Sequence, residues 1–175
     1  MSLTINDLRA RAEIADCLNR YSQGVDQRVW PLYDSAFCED AQISVPGYLE
    51  EPLSPAAFRD MLCGTFDESR LSGVHMLGNS HISIDGDAAH AVTEFLAITL
   101  ERTDVACQAL HETTAGLYVD DLVIDDGEWR IKNRVLSRKS SDPKIVELSE
   151  EIEAAVVATL DMDWWPLGAV DQESR

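Results

Sequence analysis

The stretch VHMLGNSHISIDGDAAHAVTEFLAITL, residues 74–100, decides the fold. Apolar and β-branched residues dominate on both sides of Asp85-Gly86-Asp87, a tight-turn signal, so strands are expected at about 74–84 and 88–100. The texture continues into strands at roughly 109–124 and 128–138, joined by Asp125-Asp126-Gly127, with a polar link near Arg102-Thr103-Asp104 between the two hairpins. Parallel neighbours would need crossover helices for which these links leave no room, so the strands should form an antiparallel meander.

Upstream, Ile5, Leu8, Ala12, Ala15, Cys17, Leu18 and Tyr21 recur at helical steps, with Thr4 or Asn6 as N-cap and an end near Gly24. Trp30-Pro31, followed by Leu32, Tyr33, Ala36 and Phe37, predicts a second short helix. Ala41 to Val45 reads as a short strand closed by Pro46-Gly47. Ser54-Pro55 opens a third helix with Phe58, Met61, Leu62 and Phe66 on one face. After the strands, Asp142-Pro143 is expected to cap a closing helix carrying Ile145, Leu148, Ile152, Ala155, Val156 and Leu160. Helices followed by a twisted antiparallel sheet make an α+β domain in which the helices cover one face. The predicted shape is a cone: a strongly curved sheet, closed by the N-terminal helices around a pocket. Residues 1–162 form this single domain, and 163–175 a tail containing Trp164-Trp165.

Composition excludes several functions. Fourteen basic against 32 acidic residues give a formal charge of −18, which repels phosphate backbones and anionic lipid unless a basic patch is concentrated somewhere. The densest basic stretch, Arg130 to Lys139, is interleaved with strand-like residues, so nucleic acid is not an expected partner. No run approaches a membrane span, the first 25 residues lack the apolar core of a signal peptide, and the four cysteines form no C-x-x-C pair. A cytoplasmic protein with reduced thiols is expected. The histidines form neither H-x-x-x-H nor H-x-H, so no metal is expected, and no glycine-rich nucleotide motif or G-x-S-x-G is present. The acidic clusters around Glu50-Glu51 and Glu150-Glu151 read as solvated faces.

Two residues stand out chemically. His75 sits among apolar neighbours, where an imidazolium is costly without a partner. Asp26 follows the first helix, a place from which a carboxylate can point into the mouth of a cone. Paired, they would make a general base near neutral pH; unpaired, His75 is a core residue.

The segments Arg20-Tyr21…Gly24-Val25-Asp26-Gln27-Arg28, Val74-His75-Met76-Leu77-Gly78-Asn79, Gly116-Leu117-Tyr118-Val119-Asp120 and Asp126-Gly127-Glu128-Trp129-Arg130-Ile131 resemble the SnoaL-like branch of the nuclear transport factor 2-like superfamily. Within it the chain is similar to scytalone dehydratase, bile-acid 7α-dehydratase and γ-hexachlorocyclohexane dehydrochlorinase. The resemblance implies a lyase that uses no cofactor, with His75 as base, Asp26 as its partner, and Tyr21 and Arg134 as groups that stabilise what departs. Tyr21 is equally readable as core packing. Arg138 is the alternative late cation. Strict alternation from Trp129 and Ile131 turns Arg130, Lys132, Arg134 and Arg138 outward together, so an inward arginine requires a bulge. His111 heads a segment whose alternate residues, Thr113, Ala115 and Leu117, are largely apolar, and it is expected to face inward. With Tyr118 and Arg138 it is assigned to substrate binding. His81 and His90 flank a turn and are assigned no role. The implied substrate is a small, mostly apolar cyclic or polyketide-like molecule. An isomerase or cyclase using the same pair, or a non-catalytic binding module, remains open. A homo-oligomer, dimer or trimer, is also implied.

Overall fold

The computed structural model describes residues 4–66 and 69–161. The Thr4 side chain accepts the Asp7 backbone N–H while the Asp7 carboxylate accepts the Thr4 backbone N–H, a capping box that starts helix α1 (Ile5–Asp26). The buried stripe of α1 is Ile14, Cys17, Leu18, Tyr21 and Val25, at the spacing that puts them on one face. The helix runs past Gly24, whose bare Cα serves another purpose. A Cβ there would lie 2.5 Å from the Tyr33 backbone nitrogen, so glycine lets α2 (Trp30–Asp34) press against α1.

Pro31 lies in the first turn of α2, and the chain leaves the helix by Asp34. Phe37, expected in that helix, instead opens strand β1 (Phe37–Ser44), which is longer than the sequence indicated. Helix α3 (Pro55–Phe66) begins after Ser54, whose hydroxyl accepts the Ala57 N–H at 3.2 Å. Four long strands follow: β2 (Arg70–Asp85), β3 (Ala88–Arg102), β4 (Gln108–Asp125) and β5 (Glu128–Glu147). They pair antiparallel in sequence order, and β1 adds to β5 in parallel, giving the order β1-β5-β4-β3-β2. The sheet is therefore mixed at one edge, and it curves without closing into a barrel, with β1 and β2 as its two edges. The β4–β5 turn carries positive φ at both Asp126 and Gly127, as a tight two-residue hairpin requires.

One expectation fails at the C-terminal end. Asp142-Pro143 does not start a helix; β5 continues through both residues, opposite Thr113 and Glu112 of β4. β1 pairs with β5 only as far as Val135, so the other edge of β5 is unpaired at Pro143, and there a missing N–H disrupts no ladder. The closing helix, α4 (Glu150–Ala158), begins later, with Ser149 as its N-cap, and a short 3-10 turn, Thr159–Asp161, follows.

Two apolar clusters result. The main one fills the space between the inner face of the sheet and helices α1 to α3, with Tyr33, Phe37, Phe58, Phe95, Tyr118 and Trp129 among its members. A smaller one, Leu71, Ala109 and Leu148 with Val156 and Val157, lies where α4 meets the far ends of the strands. Trp164 and Trp165 lie outside the described residues.

Candidate active site

Register irregularities in β5 place the site's cations. Ile131 pairs with Leu122 but Asn133 pairs with Asp121, and Arg138 pairs with Gly116 but Ser140 with Ala115. Each step leaves one extra residue, Lys132 and then Lys139, so each is a β-bulge. Before the first bulge Trp129 and Ile131 are buried; after it Arg134 is buried and Leu136 and Arg138 line the cavity. The parity shift that an inward arginine requires is present.

The cavity opens between α1, α3 and the inner sheet face, and encloses about 800 Å³ including its open mouth. Tyr21, Val25, Phe58, Phe95, Tyr118 and Leu136 form its greasy part. Tyr118 stacks on Phe95 with ring centroids 4.3 Å apart. Gly116 makes that stack fit: a Cβ on it would fall 2.6 Å from the Phe95 ring and 2.3 Å from the Ser137 carbonyl oxygen.

His75, on β2, lines this cavity, and Asp26 ends α1 directly behind it. The Asp26 carboxylate engages His75 twice. Its Oδ2 accepts the His75 backbone N–H at 2.6 Å, and its Oδ1 lies 2.6 Å from His75 Nδ1. An ionised carboxylate can only accept, so Nδ1 donates to it, and in the neutral imidazole the lone pair then sits on Nε2. The side chains are 13% and 9% exposed, respectively. Gly73 borders the pair, since a Cβ there would be 3.3 Å from Asp26 Oδ1.

Tyr21 also lines the cavity, its ring 6.4 Å from the imidazole centroid. Behind it lies a buried ion pair. Arg134 and Asp120 form a bidentate bridge, Nε to Oδ1 at 2.7 Å and Nη2 to Oδ2 at 2.9 Å, with side chains 1% and 0% exposed. The guanidinium carbon lies 4.0 Å from the Tyr21 ring centroid and 4.2 Å from that of Tyr118, a cation held between two aromatic faces. Burial disfavours the charge, but Asp120 outweighs it and holds the Arg134 pKa above its ordinary value. Burial also raises the pKa of Tyr21 and Tyr118, so both phenols stay protonated donors; Arg134 pulls both the other way without prevailing. The two hydroxyls affect each other's ionisation, yet among the described residues that of Tyr118 has no hydrogen-bond partner of acceptable geometry, and neither has Arg134 Nη1. Burial pushes the nearby Cys17 thiol up to about 11.

Of the residues singled out from the sequence, Tyr21, His75, Tyr118 and Arg138 line one cavity, and Asp26 and Arg134 back it. His111 does not. β4 runs without an extra residue of its own, so Glu112, Thr114, Gly116 and Tyr118 share the inner face, and His111 falls on the other face. The expectation for His111 followed the apolar residues at odd positions of β4, which cover the outer face. Three residues unassigned in the sequence belong to the site: Asp120, two positions from Tyr118 and so on its face, and Glu112 and Glu101 at the polar end of the cavity. Alternation counted from Tyr118 would have found Asp120 and Glu112. Among the described residues, no group of three or more His, Cys, Asp or Glu is placed to hold a metal ion, and no helix is long and apolar enough to cross a membrane.

Solved structures share this architecture. The chain is similar to a hexachlorocyclohexane dehydrochlorinase (LinA) type 2, at 17% identity over 81% of this chain and 94% of that one, TM-score 0.70. A scytalone dehydratase-like protein of Novosphingobium aromaticivorans gives 21% identity over 83% and 92%, TM-score 0.63. ActVI-ORFA of Streptomyces coelicolor gives 23% over 74% and 96%, TM-score 0.60. No curated protein matches the sequence. These likenesses rest on the fold, the fold places an Asp–His pair in a pocket, and the model of the SnoaL-like domain matches residues 6–135: the chain belongs to the SnoaL-like domain family, within the nuclear transport factor 2-like superfamily.

Proposed function

We propose that the protein is a cofactor-independent lyase that carries out a dehydratase-like elimination on a small, mostly apolar molecule. The observation that carries the proposal is the 2.6 Å contact between His75 Nδ1 and Asp26 Oδ1, which leaves Nε2 as a base on the wall of an apolar cavity. Nε2 takes a proton from a carbon next to a carbonyl, the electron pair forms the new C=C bond, and the C–O bond at the adjacent carbon breaks. The leaving hydroxide departs as water once protonated. Asp26 holds the imidazole and supports the imidazolium that forms. Tyr21, a protonated phenol against a buried cation, donates to the departing oxygen or to the carbonyl. Arg134 acts from behind the two tyrosines by its fixed charge. Positioned acid–base catalysis contributes on the order of 10²–10⁴ in rate, which suits an activated C–H bond. Relatives with names such as dehydrochlorinase and scytalone dehydratase-like protein make elimination the favoured outcome.

Proton abstraction can be tested apart from the leaving group. With 4-phenylbutan-2-one in D2O, the protein should speed exchange of the protons beside the carbonyl, followed by NMR, and His75→Ala and Asp26→Asn should lower that rate by 10²-fold or more. With 4-hydroxy-4-phenylbutan-2-one, the conjugated enone should form. Exchange without enone would indicate an isomerase. An exchange rate unchanged by both substitutions would leave only a binding pocket.

The proposal extends to a homo-oligomer, supported by Val74 and Met76, large apolar side chains exposed on the outer face of the sheet.

A further inference from the structure

The cavity has two unlike ends, and the difference bears on what enters it. Strand register arranges its wall in layers. Thr93 and Tyr118 pair at the inner end; His75, Ala97 and Thr114 lie side by side at the middle; Thr99 pairs with Glu112 further out, and Glu101 lies beyond them. At about 3.4 Å per residue, the Glu112 level is roughly 7 Å from the His75 level along β4, and the Tyr118 level roughly 14 Å in the other direction.

The inner end presents aromatic surface, with Tyr118 stacked on Phe95. The outer end presents acceptors. Glu112 is fixed through one oxygen only: Ser141 and Thr114 donate their hydroxyls to Oε1, at 2.6 and 3.3 Å. Oε2 has no partner among the described residues. Glu101 adds another carboxylate on the neighbouring strand. Arg70, which also lines this end, has interactions of its own. A carboxylate facing a cavity wall can only accept, so a bound molecule gains there by bringing a hydrogen-bond donor, and an ether or carbonyl gains nothing.

We infer that Glu112 determines specificity: the protein takes an elongated molecule whose apolar, carbonyl-bearing part lies inward of Glu112, beside His75, and whose outer end carries a hydroxyl donated to Glu112 Oε2. This rests on the proposed lyase reading for its carbonyl end, but the hydroxyl preference is a property of binding alone.

Two probes separate the ideas: 4-(4-hydroxyphenyl)butan-2-one and its methyl ether, titrated calorimetrically into the full chain. The hydroxy compound should bind at least tenfold more tightly to the native protein. Glu112→Gln should cut that preference to about threefold, and Glu112→Leu should abolish it, with binding of the ether unchanged or improved. Equal affinity of the two probes for the native protein, no binding of either, or a preference that survives Glu112→Leu would overturn the inference. Because the same preference should persist in His75→Ala, which fails in proton exchange if the lyase reading holds, the two ideas fall separately.

Discussion

The site contains two carboxylate–base pairs built to opposite purposes. Asp26 and His75 meet at the cavity wall, each keeping about a tenth of its side-chain surface exposed; Asp120 and Arg134 meet behind it with none to spare. The outer pair joins a carboxylate to an imidazole, a group that can accept a hydrogen bond as well as donate one. The inner pair joins one to a group that cannot. Access and a ring nitrogen able to accept go together at one, enclosure and permanent charge at the other. On the proposed lyase reading, the first would move a proton and the second would supply a field that does not change while the proton moves. Their tethering differs in kind as well. Asp26 takes hold of a backbone N–H as well as a ring nitrogen, which fixes β2 to the end of α1. The Asp120–Arg134 bridge joins two neighbouring strands, and the rings of Tyr21 and Tyr118 cover the guanidinium on both sides.

The sharpest way to break this contrast is to delete each carboxylate in turn. Asp120→Ala leaves Arg134 buried without its counter-charge and should cost about 3–5 kcal/mol of unfolding free energy. Asp26→Ala leaves a histidine that can be neutral and a single orphaned backbone N–H, and should cost about 1–3 kcal/mol. Urea denaturation of the two variants measures both. Equal losses, or a greater loss at Asp26, would mean that the inner pair is not the structural one.

A smaller effect tests how tightly the aromatic wall is packed around that inner pair. In Gly116→Ala the new methyl group meets a backbone carbonyl and the Phe95 ring at distances no real contact shows, and about 1–3 kcal/mol of stability should be lost as Phe95 leaves its stack on Tyr118. Gly78→Ala on the outer reach of β2 is the control. Its Cβ would meet Glu94 at an ordinary 3.6 Å, and its melting temperature should barely change.

Much of this was legible in the residues, because each legible feature has a local cause. The hairpins follow from Asp-Gly turns and α1 from its apolar spacing and cap, whereas the pairing of His75 with Asp26, distant in sequence, was implied only by the family resemblance. What was not legible depends on pairing between strands. No local signal marks Lys132 as the extra residue that turns Arg134 inward; the bulge is seen only in the register with β4. His111 was misplaced for the related reason that apolar residues occupy both faces of β4, so hydrophobicity alone could not say which face is inner. Pro143 looked like the start of a helix because a proline in a strand is excluded only where both edges are paired, and whether an edge is free is a fact about the whole sheet.

The gentlest test uses alkali. Burial raises the pKa of Tyr21 and Tyr118 in the folded protein, while in the unfolded chain a tyrosine ionises near pH 10. Above about pH 10 the unfolded state therefore sheds protons that the folded state retains, and stability must fall as pH rises, by at most about 1.4 kcal/mol per pH unit for each such group. Cys17, pushed up to about 11, contributes in the same direction from about pH 9. Arg134, held above its ordinary value by Asp120, keeps its charge throughout this range and adds no slope. Tyr118→Phe removes one titrating phenol without disturbing its stack on Phe95, so the fall in stability between pH 10 and 11.5, followed by denaturant titration at each pH, should become shallower by roughly one such increment. An unchanged slope would mean that the Tyr118 hydroxyl ionises as freely in the folded state as in the unfolded one, and the enclosed, unchanging character of the inner region would then be lost with it.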